Sequence, residues 1–236
     1  EEEVMKRLPF INDERFLDVG CGSGALLLAL AGRFPQVQLV GLDIAPGVFA
    51  HAAAKAEQQG FPIQFTGGDV QHLPFAPESF DCVAAVHMMY HVPNIDRGLA
   101  EMSRVLKRGG IAVLTANSQS SMPQMRALKR KAAELLGLQL YRQADDRFNI
   151  ETGRKLLRRH FSVVTLETFR STIRLQQPEP YVGYFDSTRP FWQPAPLDDA
   201  WHRVLVVVQE AIQEGIKQTG KFQDSKAFGI FTVRRA

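Results

Sequence analysis

The chain has 236 residues, 45% hydrophobic and 22% charged, with a formal net charge of +3. That is enough chain for one domain with a sizeable core, and the composition excludes the disordered and low-complexity classes. No apolar run approaches the ~20 residues that span a bilayer, and Cys21 and Cys82 lie outside any CxxC pair, which excludes a disulfide scaffold or zinc site. No basic, apolar leader is seen, and Glu1-Glu2-Glu3 without an initiator Met points to residues upstream. The expected setting is the cytoplasm.

Arg15 to Val19 reads as a strand, followed at once by Gly20-Cys21-Gly22-Ser23-Gly24 and the helix formers of Ala25 to Ala31. Val37 to Leu42 is a second strand, Pro46 to Gln59 a helix stopped by Gly60, and Ile63 to Thr66 a short third strand. Phe80 to Val86 is apolar on both faces, as a buried parallel strand should be. A helix over Ile95 to Leu106 and a Gly109-Gly110 turn lead into a fifth strand, Ile111 to Ala116. Strands alternating with helices at this spacing specify βαβ units around a parallel sheet.

The second half is less regular. Met122 to Leu138 reads as a basic amphipathic helix, Thr152 to His160 as another helix, and Val163 to Leu175 as a long sixth strand. Pro178 to Pro196 is rich in prolines and aromatics, with Tyr181, Tyr184, Phe185, Phe191 and Trp192 close together. Trp201 to Lys217 is a helix, and Phe228 to Val233 a last strand. No linker separates an independent domain, so residues 1–236 are expected to form one. Its fold class is α/β: a Rossmann-like, doubly wound, mostly parallel seven-stranded sheet with helices on both faces. Residues 15–116 form its ligand-binding half, and 117–147 and 178–225 are insertions expected to cover a second ligand. The basic excess from Arg126 to Arg159 reads as solvated helix faces or, more sharply, as a surface for a phosphorylated small molecule or RNA.

The glycine loop carries the most chemistry. A strand, a Gly-x-Gly-x-Gly turn and a helix leave no side chains where backbone must approach a ligand. Gly20-x-Gly22-x-x-Ala25 also fits the dinucleotide fingerprint, so the loop alone does not separate nicotinamide from adenosyl cofactors. Asp43 ends the second strand and can accept from both hydroxyls of a ribose, or cap the helix after it.

Taken together, these segments resemble the class I methyltransferases that use S-adenosylmethionine (SAM). Phe16 to Gly24 is similar to their first motif, and Val40-Gly41-Leu42-Asp43-Ile44 to their acidic second one. Gly67 to Phe75 resembles the adenine-binding segment. Phe80 to Val83, through His87 to His91-Val92-Pro93, resembles the fourth motif and its turn. Arg104 to Gly110 resembles the turn before strand five, with Arg108 where proline is usual. The resemblance covers about residues 15–116; beyond them only the general layout matches.

The resemblance implies a role for each site residue. The backbone of Gly20, Cys21 and Gly22 would approach the methionine part of SAM, with Asp18 near its ammonium. Asp43 would bind the ribose and Ile44 would pack on the adenine. Asp69 would accept from the adenine amino group, and the N–H of Val70 would donate to a ring nitrogen. An acid just before the loop suits a sulfonium-bearing cofactor better than a pyrophosphate.

His87 directly follows the fourth strand, at the edge where open α/β sheets bind ligands. Two roles are open to it: a base that deprotonates the acceptor, or a wall of the cofactor pocket. Tyr90, Tyr181 and Tyr184 are candidate acceptor contacts, His91 is expected to be structural, and no metal is expected.

The expected activity is methyl transfer from SAM to an O, N or C atom of a small-molecule acceptor, with S-adenosylhomocysteine (SAH) as product. The alternatives are an RNA or tRNA methyltransferase, a non-catalytic SAM-binding protein and a nicotinamide dehydrogenase. Neither nucleic acid nor membrane is an expected partner, because no RNA-binding appendage or Asn-Pro-Pro-Tyr-like motif is present.

Overall fold

The computed structural model describes residues 1–10, 12–138, 147–192 and 194–236. They form two compact units: residues 1–119, 144–168 and 228–236 make the first, and residues 120–143 and 169–227 the second. The insertions expected at 117–147 and 178–225 overlap the second unit without matching its bounds, and residues 139–146 lie outside the described residues.

The first unit is built on strands β1 (Arg15–Val19), β2 (Gln38–Asp43), β3 (Ile63–Gly67), β4 (Phe80–Val86) and β5 (Leu106–Asn117). With β6 (Val163–Leu175) and β7 (Phe222–Arg234) they make one seven-stranded sheet, ordered β3-β2-β1-β4-β5-β7-β6. Strands β1 to β5 run parallel, and β7 pairs antiparallel with β5. The sheet is therefore mostly parallel, as its buried apolar strands imply. The chain moves outward from β1 to β3 and then returns to β4 beside β1. That reversal opens the crevice in which such sheets bind ligands, at the carboxyl ends of β1 and β4.

Both faces of its central strands are covered. Leu17, Val40, Val83 and Ala112 share one face with Leu99, Met102 and Val105 of α4 (Ile95–Val105) and Leu157 of α6 (Ile150–Leu157). The apolar positions of α4 recur at three- and four-residue intervals, which gives it one buried stripe. On the other face, Leu27 of α2 (Ala25–Arg33) packs over Gly41, so closely that a Cβ there would lie 2.5 Å from Leu27 Cδ1. Next to α2 lies α3 (Ala50–Gln58), and a four-residue helix, α1 (Glu2–Met5), opens the chain.

Three expected boundaries shift for local reasons. The helix expected from Thr152 begins at Ile150, because Asn149 and Thr152 form a reciprocal capping box. The helix expected from Pro46 is a 3-10 turn, Pro46–Val48, followed by α3, since Gly47 weakens the first turn. The Gly109-Gly110 turn lies inside β5. Phe80 is in register with Leu106 and Cys82 with Ile111, so the intervening residues bulge out, and Gly109 adopts φ +72°.

The second unit has its own core. Helices α5 (Pro123–Leu135), α7 (Glu179–Asp186) and α8 (Asp198–Thr219) bring together Met125, Leu128, Tyr181, Phe185, Trp201, Val204, Val208 and Ile212. Phe185 stacks on Trp201 with ring centroids 5.6 Å apart. Helix α7 lies in the stretch rich in prolines and aromatics. Pro178 and Pro180 occupy its first turn, where a missing N–H costs nothing.

Candidate active site

The glycine loop leaves the carboxyl end of β1. The N–H groups of Gly20 and Cys21 both donate to the carbonyl of Leu42, at 2.7 and 3.0 Å, which ties the loop to the end of β2. Gly22 has φ +51°, and a Cβ built there would meet nothing within 4 Å. Its conformation demands glycine, and the space above it is open. Gly20 has the opposite constraint: a Cβ there would lie 2.8 Å from Met88, which follows β4. Backbone is thereby left bare at the switch point.

Asp43 reaches into this loop from β2. One carboxylate oxygen accepts the N–H of Gly22 at 2.9 Å, and the other accepts that of Ala45 at 3.0 Å. It does not cap the following helix; Phe49 is the residue at the start of α3. Ile44, next in sequence, is 74% exposed, so its side chain is open to a ligand at that end of β2. Asp69 caps the 3-10 turn Val70–His72, accepting from the N–H of Gln71 at 2.8 Å and from its side-chain amide. Val70 is buried in the sheet core.

Asp18 is 2% exposed, and its Oδ1 is buried with no hydrogen-bond partner. Burial first, then the charge of Asp43, pushes its carboxyl up to about 8. A carboxyl group held this way in a dry site prefers its neutral form, and a cation placed beside it would reverse that preference. Cys21 is also buried, and its thiol is pushed up to about 12 by burial and by the charges of Asp18 and Asp43. It is therefore a poor nucleophile at neutral pH.

His87 follows β4 with φ +53°, a left-handed backbone that few non-glycine residues adopt. Its N–H donates to Thr115 Oγ1 at 2.8 Å, which fixes that turn to β5. The His87 ring lies 6.0 Å from the ring of Phe228, the residue paired with Asn117 across β5 and β7. Strain held at the carboxyl edge of a central strand is a mark of a functional position. Tyr90 and His91 sit in the next 3-10 turn, Met89–His91, with ring centroids 4.5 Å apart.

Loop, Asp18, Asp43, Asp69 and His87 thus lie on the β1–β4 edge and the segments leaving it. Tyr181 and Tyr184 lie in the second unit. Tyr181 is 2% exposed, and its hydroxyl donates to Asp224 inside that unit's core. Tyr184 is half exposed, its ring 6.4 Å from that of Tyr181. Among the described residues no cluster of three His, Cys, Asp or Glu could hold a metal, and no helix is long and apolar enough to cross a membrane. Sequence reasoning passed over Asn117, whose Oδ1 is the second buried side-chain atom without a partner. The available signal was a polar residue closing an otherwise apolar strand.

Residues 17–114 match the family described as methyltransferase domain. A demethylmenaquinone methyltransferase of Deinococcus radiodurans is 40% identical over 100 residues, 42% of each chain. Another, from Thermus thermophilus, is 37% identical over 101 residues, 43% of this chain and 46% of that one. The chain thus spans less than half the length of these curated relatives. The fold of the YcgJ protein of Bacillus subtilis superposes with a TM-score of 0.69 at 18% identity, covering 100% of this chain and 97% of that one. The similarity to methyltransferases is thus carried by residues 17–114, and the rest of the chain lies outside the family match.

Proposed function

We propose that the protein transfers a methyl group from SAM to an O, N or C atom of a small-molecule acceptor. The observation that carries this is Asp18, a buried carboxyl group with an orphaned oxygen beneath a bare glycine loop. An α-ammonium group supplies the missing partner and the missing charge. The donor set fits the rest of the cofactor: Gly20, Cys21 and Gly22 offer backbone, and Asp43 offers a carboxylate for the ribose. Ile44 offers an apolar face for the adenine, while Asp69 and the Val70 N–H offer an acceptor and a donor to its edge. When bound, SAM supplies an already activated methyl group, so the protein's share of the work is orientation and proton handling.

His87 is assigned the proton. Its backbone is pinned by Thr115 and its ring stands at the edge of β4, where a neutral imidazole can take a proton from a hydroxyl or amine. Acceptor choice is assigned to residues outside the family's motifs, in 117–147 and 178–225, with Tyr90 and Tyr184 as candidates; Tyr181, buried with its hydroxyl on Asp224, is a core residue instead. Two relatives are named for demethylmenaquinone, which supports a small molecule over a nucleic acid. The two buried thiols suit a reducing cytoplasm.

Thermal denaturation with SAM, SAH or NAD at saturation tests the cofactor, because a ligand selective for the folded state raises the melting temperature. SAM and SAH should raise it and NAD should not; a shift with NAD alone overturns the reading. A metabolite screen for SAH release then identifies the acceptor. With it in hand, His87→Ala should lower turnover by about 10²–10⁴-fold with SAM affinity preserved. Wild-type turnover would remove His87 from the chemistry.

A further inference from the structure

Asp18 Oδ1 and Asn117 Oδ1 are the buried side-chain polar atoms without a partner among the described residues. The proposed function accounts for the first and leaves the second unused. We infer that Asn117 is an acceptor-binding residue that takes a hydrogen bond from an O–H or N–H group of the molecule to be methylated. This rests on the methyltransferase reading above.

Asn117 is the last residue of β5, a central strand, at the same carboxyl edge as His87. Val86 is in register with Thr115, so His87 leaves β4 beside the last residues of β5. Thr115 and Asn117, two apart on one strand, point to one face. Thr115 is already engaged with the His87 backbone, and Asn117 stands one step further along the strand. Across the sheet Asn117 is paired with Phe228, whose ring lies 6.0 Å from the His87 imidazole. Asn117 is thus the cross-strand partner of the residue whose ring neighbours the His87 imidazole. Asn117 and Phe228 both lie outside the span of the family match.

The chemistry follows from the orphaned atom. A buried amide carbonyl without a donor is costly, and folding alone does not repay it. The next two residues of the chain show the usual solution: Ser118 and the Gln119 N–H both bond to the Glu151 carboxylate. Asn117 has no such arrangement, so its partner comes from the ligand. Phe228 supplies an apolar wall beside it. The complementary molecule has a flat apolar body and a hydroxyl or amine, held so that Asn117 accepts the hydrogen bond while His87 faces the same edge.

The test uses the full chain saturated with SAH and three probes: 1-naphthol, 1-naphthylamine and 1-methoxynaphthalene, which keeps the body and has no donor. Titration followed by nuclear magnetic resonance, with the Asn117 side-chain amide signal monitored, reads affinity and location together. At least one donor probe should bind about tenfold more tightly than the methoxy compound, the gain expected of one hydrogen bond to a buried partner. It should also shift the Asn117 amide. Asn117→Leu should abolish the preference, and Asn117→Asp, which keeps an acceptor oxygen, should retain it, each binding SAH as wild type does. No preference in wild type, or a preference that survives Asn117→Leu, overturns the inference. Failure of the wild-type chain to bind SAH would instead overturn the methyltransferase reading.

Discussion

Asp18 and Asp224 are equally buried, each 2% exposed, yet they are treated in opposite ways. In the second unit Asp224 accepts from the N–H groups of Gln124 and Met125 at 3.1 and 3.2 Å, from that of Ser225 at 2.9 Å, and from the Tyr181 hydroxyl. It caps the first turn of α5 from a distance and satisfies donors that would otherwise be stranded. Asp18, in the first unit, has an oxygen with no partner at all. A carboxylate saturated by its own protein is a structural member, whereas the one left unsatisfied at the sheet's switch point is the one proposed to meet the cofactor. Burial alone does not separate the two roles; the hydrogen-bond inventory does.

The largest expected effect of this difference is on pH. Asp18 has a folded value of about 8 against an ordinary 3.8, because burial and Asp43 disfavour its charge. Between those values the folded chain holds a proton that the unfolded chain has released. The stability of the ligand-free protein therefore falls as pH rises from about 4 to about 8, with a limiting slope of about 1.4 kcal/mol per pH unit from this group. Above about pH 8 its contribution levels off. Asp81 and Glu101 run the other way: against the burial of Asp81, the Arg15 N–H and then Lys107 hold its carboxyl low, and Arg104 does so for Glu101, so the stability they add is lost only in acid, below the Asp18 window. Urea titrations across this range should show the decline in wild type and its absence in Asp18→Asn. A flat wild-type profile would mean that Asp18 is already ionised and partnered.

Asp224→Ala comes next. Removing it leaves the α5 N–H groups and the Tyr181 hydroxyl without their acceptor, at a cost of about 3 kcal/mol in stability. Chemical denaturation is the measure, and a loss under about 1 kcal/mol would contradict a structural role. Asp43 stands between the extremes, since it already accepts two backbone N–H groups and is assigned the ribose as well. Asp43→Ala should weaken SAH binding by about 2–3 kcal/mol, the scale for a charged hydrogen-bond partner, and should also lower stability slightly. Equal SAH affinities by calorimetry would leave Asp43 as a loop tether only. The smallest effect is that of Asp18→Asn, which should weaken SAH by about 2 kcal/mol while leaving the ligand-free melting temperature at neutral pH unchanged or higher. A fall in that temperature would move Asp18 into the class of Asp224.

The same contrast explains what was legible in the sequence. The strand–glycine–helix order from Phe16 to Ala31, and the apolar fourth and fifth strands, could be read because parallel strands buried on both faces have few alternatives. Asp18, Asp43 and Asp69 could be named because short motifs fix them to strand ends. The Tyr181 environment could not. Its partner Asp224 lies 43 residues away, and no local pattern reports that an aromatic hydroxyl is committed to a distant carboxylate. The bulge before Ile111 was hidden for a related reason, since it depends on a partner strand that only the folded chain brings alongside, whereas the Asn149–Thr152 capping box is local and was there to be read. Asn117 was legible as a polar residue on an apolar strand, but its lack of a partner is a property of three dimensions.

The central claim is that Asp18 is the seat of the cofactor's ammonium. Its most direct test is calorimetric titration of the protein with SAH at pH 7 in buffers of different ionisation enthalpy. With a free value of about 8, Asp18 is mostly protonated before binding, and the arriving cation favours its ionised form. The account predicts release of about one proton per SAH bound, reduced to nearly none in Asp18→Asn. Binding without proton release in wild type, or no binding at all, would contradict it.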